Sequence, residues 1–150
     1  MDLGLKDRVV LITGGSKGIG LACAKAFLVE GAKVAIASRS KVNLDRWFRT
    51  ETGDLIDPAN ARRMVAEVEQ ALGPIDVLVN CAGGAKRAPA EELTPEAWRA
   101  AMDAKFFTYI HAIDAVIKAI ASRKRGAIVN VIGTGGKVAS RTHLPGGAAN

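Results

Sequence analysis

The segment Thr13-Gly14-Gly15-Ser16-Lys17-Gly18-Ile19-Gly20 holds the residues whose types and spacing point most directly to chemistry. It stands between Arg8-Val9-Val10-Leu11-Ile12, which reads as a short buried strand, and the run Leu21 to Leu28, which reads as a helix. Strand, glycine-rich turn and helix start together make a phosphate site. Glycines let the backbone approach a pyrophosphate, and a helix N-terminus offers unpaired N–H groups with a partial positive charge. The expected ligand is therefore a dinucleotide. Binding a dinucleotide does not by itself specify a reaction.

Elements that could position such a site follow along the chain. A second strand is expected at Ala32–Ala37, after the helix-stopping Gly31. The span Pro58–Leu72 reads as a helix with Asp57 as N-cap, Pro58 as first residue and Gly73 as stop. Its residues Ala61, Met64, Val65, Val68 and Leu72 recur at helical spacing. Ile75–Val79 and Ala127–Val131 read as strands. Between them, Thr94 and Pro95 open one long helix reaching about Arg123. Alternating strands and helices predict an α/β fold with a parallel sheet covered on both faces.

Two places fit a complete domain poorly. Few residues separate Arg39 from Asp54, where a crossover helix and another strand are expected, and Trp47 to Gly53 makes a poor strand. Either the crossover is degenerate or residues are absent. At the other end, Gly146-Gly147-Ala148-Ala149-Asn150 carries no stop signal, so the fold is expected to be incomplete at its C-terminus.

The 150 residues are about one domain's worth, and 49% are hydrophobic, enough for a real core. The formal net charge of +6 comes from scattered cations. The one tight run, Arg123-Lys124-Arg125, falls where the long helix should end and complements its dipole. No module that reads nucleic acid accompanies the charge, so none is expected as a partner. Neither a membrane span nor a secretion signal is visible. Cys23 and Cys81 are expected to be reduced thiols in a cytoplasmic protein. No metal site is expected.

The glycine spacing, Thr-Gly-x-x-x-Gly-Ile-Gly, resembles the short-chain dehydrogenase/reductase family, and within it the 3-oxoacyl-ACP reductase-like members. Asp54-Leu55 stands where the family places an Asp at the adenine ring. Asn80-Cys81-Ala82-Gly83 is similar to the Asn-Asn-Ala-Gly motif beside the adenine ribose. Gly126-Ala127-Ile128-Val129-Asn130-Val131 resembles the strand leading to the catalytic serine. The resemblance runs from about Lys6 to Asn150. It implies a Rossmann-type doubly wound parallel sheet in a single domain over 1–150, and hydride transfer between a nicotinamide and a small carbonyl or alcohol. It also implies a homo-oligomer paired through the long helix, near Phe107, Tyr109, Ile110 and Ile117. Those residues could equally be core against the sheet.

The cofactor form follows from charge. NAD-binding sites usually place an acid after the second strand to hold the ribose hydroxyls. Here the place reads Ser38-Arg39-Ser40, and Lys17 adds a second cation. A guanidinium clamps a 2′-phosphate that a carboxylate would repel, so NADP is expected rather than NAD.

The catalytic positions depart from the family throughout. Aligned without gaps from Gly126, the Ser position holds Gly133, the Tyr position Gly146 and the Lys position Asn150. Counted from Trp98, the Asn position holds Lys105. Tyr109 is the only tyrosine, and Ile113 follows it by four, so no Tyr-x-x-x-Lys exists. Thr134, one residue past the Ser position, could restore a hydroxyl. Lys105 and Tyr109 could share a helix face, the cation depressing the phenol pKa. His143 could serve as an acid, and Asn150 could bond a ribose hydroxyl. Either the active site is non-standard, or the chain is a catalytically silent dinucleotide-binding sensor or assembly protein.

Overall fold

The computed structural model describes residues 1–39, 49–84, 86–138 and 140–150. Five parallel strands form one sheet in the order β3-β2-β1-β4-β5. They are β1 (Val9–Thr13), β2 (Lys33–Ser38), β3 (Arg49–Thr52), β4 (Val77–Asn80) and β5 (Ala127–Asn130). The central strand β1 is buried along its length, as its unbroken run of apolar residues dictates for a strand covered on both faces. The chain winds outward from β1 in one direction and then in the other. This places a crevice at the carboxyl ends of β1 and β4, where such sheets bind ligands.

The alternation of side chains in β1, β2 and β4 divides the core into two layers. On one face Val9, Leu11, Ala35 and Leu78 meet Met64 and Val68 of α2 (Pro58–Leu72) and Val116 of α4 (Thr108–Arg123). On the other, Val10, Ile12, Val34 and Ile36 meet Ala24, Cys23 and Phe27 of α1 (Gly18–Val29). Each fully buried side chain of this size contributes roughly 1.5–3 kcal/mol. The periodicity of α2 is realised as read: Asp57 Oδ1 accepts the Ala59 N–H at 2.8 Å, and Ala61, Met64, Val65 and Val68 are buried.

Two expectations are corrected. Arg49–Thr52 is a strand, pairing in parallel with Ala35–Ser38; Trp47 and Phe48 lie outside the described residues. Its residues include no apolar side chain, so sequence alternation gave no signal, and the strand exists because β2 offers an open edge. The expected long helix is also not uniform. Thr94 Oγ1 caps α3 (Pro95–Met102) through the Ala97 N–H at 3.2 Å. One π-helical turn, Asp103–Phe107, then joins α3 to α4. The Thr108 hydroxyl donates to the Lys105 carbonyl at 2.6 Å within this turn. Such turns rotate the side chains that follow and are frequent at functional sites.

The basic run after α4 is used inside the fold. Arg123 donates to the Ile75 carbonyl at 2.5 Å, and Arg125 pairs with Asp76 at 2.8 Å. Asp76 also accepts the Val9 N–H at 3.1 Å and faces Arg8 at 3.5 Å. Burial would raise the Asp76 pKa; the Val9 N–H, Arg125 and Arg8 outweigh it and hold the carboxyl below its ordinary value. A depressed folded pKa stabilises above the unfolded value, near 3.9, and that stability is lost as pH falls through the folded value. Asp76→Ala is expected to cost about 3 kcal/mol at neutral pH, because the Val9 N–H loses its partner and the cations their counter-charge. The loss should shrink below about pH 4, where the unfolded-state carboxyl begins to protonate, and go on shrinking as pH falls through the lower folded value. Urea unfolding at pH 7 and pH 3 measures both.

Candidate functional site

A cavity of about 450 Å³ opens at the carboxyl ends of β1, β2 and β4. Gly14, Ser16, Lys17, Gly18, Ile19 and Gly20 form one wall, from the turn that leads into α1. Lys17 stands at the N-cap with extended backbone, no side chain caps the helix, and its first turn holds no acid. Among the described residues no side chain caps the N–H groups that begin α1, and those groups border the cavity, the arrangement that receives a phosphate.

The turn is tight because backbone meets backbone. Gly14 has φ +68°, and a Cβ there would lie 2.8 Å from the Ala82 nitrogen. A Cβ on Gly20 would lie 2.4 Å from the Gly14 carbonyl oxygen. Thr13 fastens this turn to the opposite wall. Its hydroxyl oxygen accepts the N–H groups of Cys81 at 3.2 Å and Ala82 at 3.1 Å and donates to Asn80 Oδ1 at 3.4 Å. Asn80 Nδ2 in turn donates to Asn130 Oδ1 at 2.9 Å, so the ends of β1, β4 and β5 are joined in register.

Of the residues expected at the cofactor site, Ser38, Arg39, Asp54, Leu55, Ala82 and Gly83 line the cavity with the glycine turn. Thr13, Gly15 and Asn80 do not; they are buried behind it and set the position of the wall. Ser40 lies outside the described residues. Arg39 is exposed where β2 ends, and it and Lys17 both line the cavity. Asp54 is the one carboxylate among the described lining residues, and its Oδ1 is engaged by the Ile56 N–H at 3.1 Å. The cavity's size suits a small-molecule ligand, and its helix start and two lining cations suit an anionic dinucleotide.

Two lining residues carried no sequence signal: Ala104 and Thr108, from the π-helical turn and the start of α4; Val131, just past β5, lines the cavity as well. Cys81 also lines the cavity. Burial and the neighbouring Cys23 push its thiol up to about 11, and both cysteines are free.

Tyr109 packs in the core rather than pairing with Lys105. The Tyr109 hydroxyl donates to the Val131 carbonyl at 2.6 Å, and burial, with Cys81 nearby, pushes its pKa up to about 12. Lys105 instead donates to Asn150 Oδ1. Asn150 Oδ1 also accepts the Gly133 N–H at 2.8 Å, and Asn150 Nδ2 donates to the Gly146 carbonyl at 2.7 Å. Gly133, Gly146, Asn150 and Lys105, the positions expected from the sequence to correspond to the family's Ser, Tyr, Lys and Asn, are thus joined through the Asn150 side chain. Thr134 is exposed at the start of a single 3₁₀ turn. His143 Nδ1 is buried without a hydrogen-bond partner among the described residues. Around α4, Tyr109 is core, whereas Phe107, Ile110 and Ile117 are partly exposed.

The family model for short chain dehydrogenases matches residues 8–149. An acetoacetyl-CoA reductase from Shinella zoogloeoides is 35% identical over 137 residues, covering 87% of this chain and 57% of that protein. A solved gluconate 5-dehydrogenase from Burkholderia cenocepacia, in complex with NADP and tartrate, superposes with TM-score 0.88 at 30% identity, covering 96% of this chain and 60% of that one. A Thermoplasma acidophilum aldohexose dehydrogenase superposes with TM-score 0.90 at 27% identity, covering 97% and 57%. The chain therefore spans a little over half the length of these relatives.

Proposed function

The chain belongs to the short-chain dehydrogenase family, and from that we propose that it is an oxidoreductase that holds NADP(H) in the cavity between β1, β2 and β4. The observation that carries the cofactor choice is Arg39 at the end of β2, with Lys17 lining the same cavity. A guanidinium there favours a 2′-phosphate, and the common alternative, an acid for the ribose hydroxyls, is replaced. Ser16 and the first N–H groups of α1 receive the pyrophosphate. Asp54 and Leu55 border the adenine, and Ala82 and Gly83 the ribose beyond it. When bound, the dinucleotide would supply a hydride to a carbonyl carbon or take one from an alcohol. The residues of this chain would orient the substrate and handle the proton, with an arrangement other than the family's usual one.

A second reading has its own support. Gly133 and Gly146 occupy the aligned Ser and Tyr positions, and a positioned acid or base is worth roughly 10²–10⁴ in rate. A chain without one could bind the dinucleotide and serve as a sensor or assembly partner. Phe107, Ile110 and Ile117 would then offer a face to a second copy. Among the described residues no helix is long and apolar enough to cross a membrane.

The two readings separate in one assay. Purified protein is mixed with NADPH, binding is followed by nicotinamide fluorescence, and NADPH loss is measured against a panel of aldehydes and ketones. Binding with turnover of at least one carbonyl is expected. Binding without any turnover would establish the silent reading for those substrates.

A further inference from the structure

We propose, resting on the dinucleotide reading above, that Lys105 is the proton donor of this site and that Asn150 is the positioning residue that aims its ammonium. The two residues come from distant parts of the chain. Lys105 sits at the centre of the π-helical turn, between Ala104 and Thr108, which line the cavity; it and Asn150 are not lining residues themselves but stand beside that wall, past Gly83. The Lys105 Cα packs 3.2 Å from where a Cβ on the lining Gly83 would be.

Asn150 is held on every polar atom. Its Oδ1 takes the Gly133 N–H and the Lys105 ammonium, and its Nδ2 gives to the Gly146 carbonyl. A flipped amide would turn its donors on two other donors, so the oxygen must face the lysine. The room for this side chain comes from the glycine loop: a Cβ on Gly133 would lie 3.1 Å from Asn150 Oδ1, and one on Gly136 3.3 Å from its Cβ. The glycine loop from Gly133 to Gly136 is thus built around Asn150. A neutral amide orients the cation without neutralising it, as a carboxylate would.

Two of the other candidate acids are set aside by their surroundings, while His143 keeps a buried Nδ1 with no hydrogen-bond partner among the described residues. The Tyr109 hydroxyl is spent on the Val131 carbonyl, and Thr134 is a solvent-exposed alcohol. Burial pulls the Lys105 pKa below the ordinary lysine value, which makes its ammonium a better acid. The titratable side chains on the elements around it are Asp103 and Tyr109 on its own helix, Cys81 and Lys86 after β4, and Lys137, Arg141 and His143 on the segments holding Asn150. Among the described residues none forms an ion pair with it.

In the reducing direction the carbonyl carbon gains the hydride from the dinucleotide, which is left oxidised, and the π pair moves to oxygen. That oxygen takes a proton from Lys105 Nζ, breaking one N–H bond and forming the alcohol O–H. The neutral amine recovers its proton from water. Alcohol oxidation is the same step reversed.

The test uses the full chain, Lys105→Met, Lys105→Arg and Asn150→Asp. NADPH binding is read by fluorescence, turnover by NADPH loss with the carbonyl panel, and the Lys105 titration by NMR of the reductively ¹³C-methylated, ligand-free protein. Both Lys105 variants are expected to bind NADPH within about threefold of wild type and to lose roughly 10²–10⁴ in turnover. Arginine keeps the charge but does not release its proton in this range. Asn150→Asp should raise the Lys105 titration and move the pH profile of turnover in the alkaline direction. Turnover that survives in either Lys105 variant overturns the assignment, as does a Lys105 resonance that ignores Asn150→Asp. Wild-type protein that binds NADPH and reduces no carbonyl overturns it while sparing the dinucleotide reading. Wild-type protein that binds no NADPH removes both.

Discussion

Gly20→Ala should remove the dinucleotide site and leave the sheet standing. The Cβ that alanine adds would fall 2.4 Å from the Gly14 carbonyl oxygen, 2.9 Å from its carbon and 3.1 Å from the Gly15 Cα. All three are backbone atoms, so no rotamer relieves the overlap. The turn cannot yield freely, because the Gly14 N–H is bonded to the Ala37 carbonyl at 2.8 Å and its far side rests on Ala82. The turn must leave α1, and the N–H groups that meet the phosphates lose their common geometry. NADPH affinity is expected to fall by at least about 100-fold, or about 2.7 kcal/mol. Overpacking alone should lower stability by roughly 1–3 kcal/mol, which a cooperative fold survives. The check is a fluorescence titration beside a thermal melt. An unchanged affinity in the folded variant would mean that this turn does not hold the dinucleotide.

Arg39→Asp should reverse the choice between the two dinucleotides. Arg39 is exposed and lines the cavity, where an acid in its place would repel a 2′-phosphate and could bond ribose hydroxyls instead. NADPH affinity is expected to fall by about 100-fold, because a bidentate charge-assisted contact is exchanged for a repulsion. NADH affinity should hold or rise. Since the contact is exposed, the wild-type preference for NADPH should weaken as salt is added. Parallel titrations with both dinucleotides read the effect. An equal loss for both would assign Arg39 to the general positive field of the site and leave the 2′-phosphate without its partner.

The parts of the fold that the sequence displays are those governed by local physics. The helix Pro58–Leu72 is bounded by Asp57, Pro58 and Gly73, each of which acts within a few residues of itself. Strand β1 announces itself because a doubly covered strand must be apolar throughout. The glycine turn is legible for the same reason: only glycine admits such close backbone contacts.

What could not be read depends on distant neighbours. Arg49–Thr52 has no apolar periodicity and becomes a strand through the open edge of β2. Asp103–Phe107 is made of ordinary helix-compatible residues, so nothing in its own composition marks the π turn. Lys105 and Asn150 each looked like a loss at its own position. Only the fold brings the two together, with Gly133 and Gly146 around them. Tyr109 shows the converse: its helical spacing from Lys105 allowed a catalytic pair, and burial against Val131 made it a structural residue.

The most direct measurement is a calorimetric titration of the purified, unaltered chain with NADPH and, separately, with NADH. One site per chain is expected, with NADPH bound at least about tenfold more tightly, a difference of about 1.4 kcal/mol. No heat with either dinucleotide, or equal affinity for both, would contradict the assignment of this cavity to NADP(H).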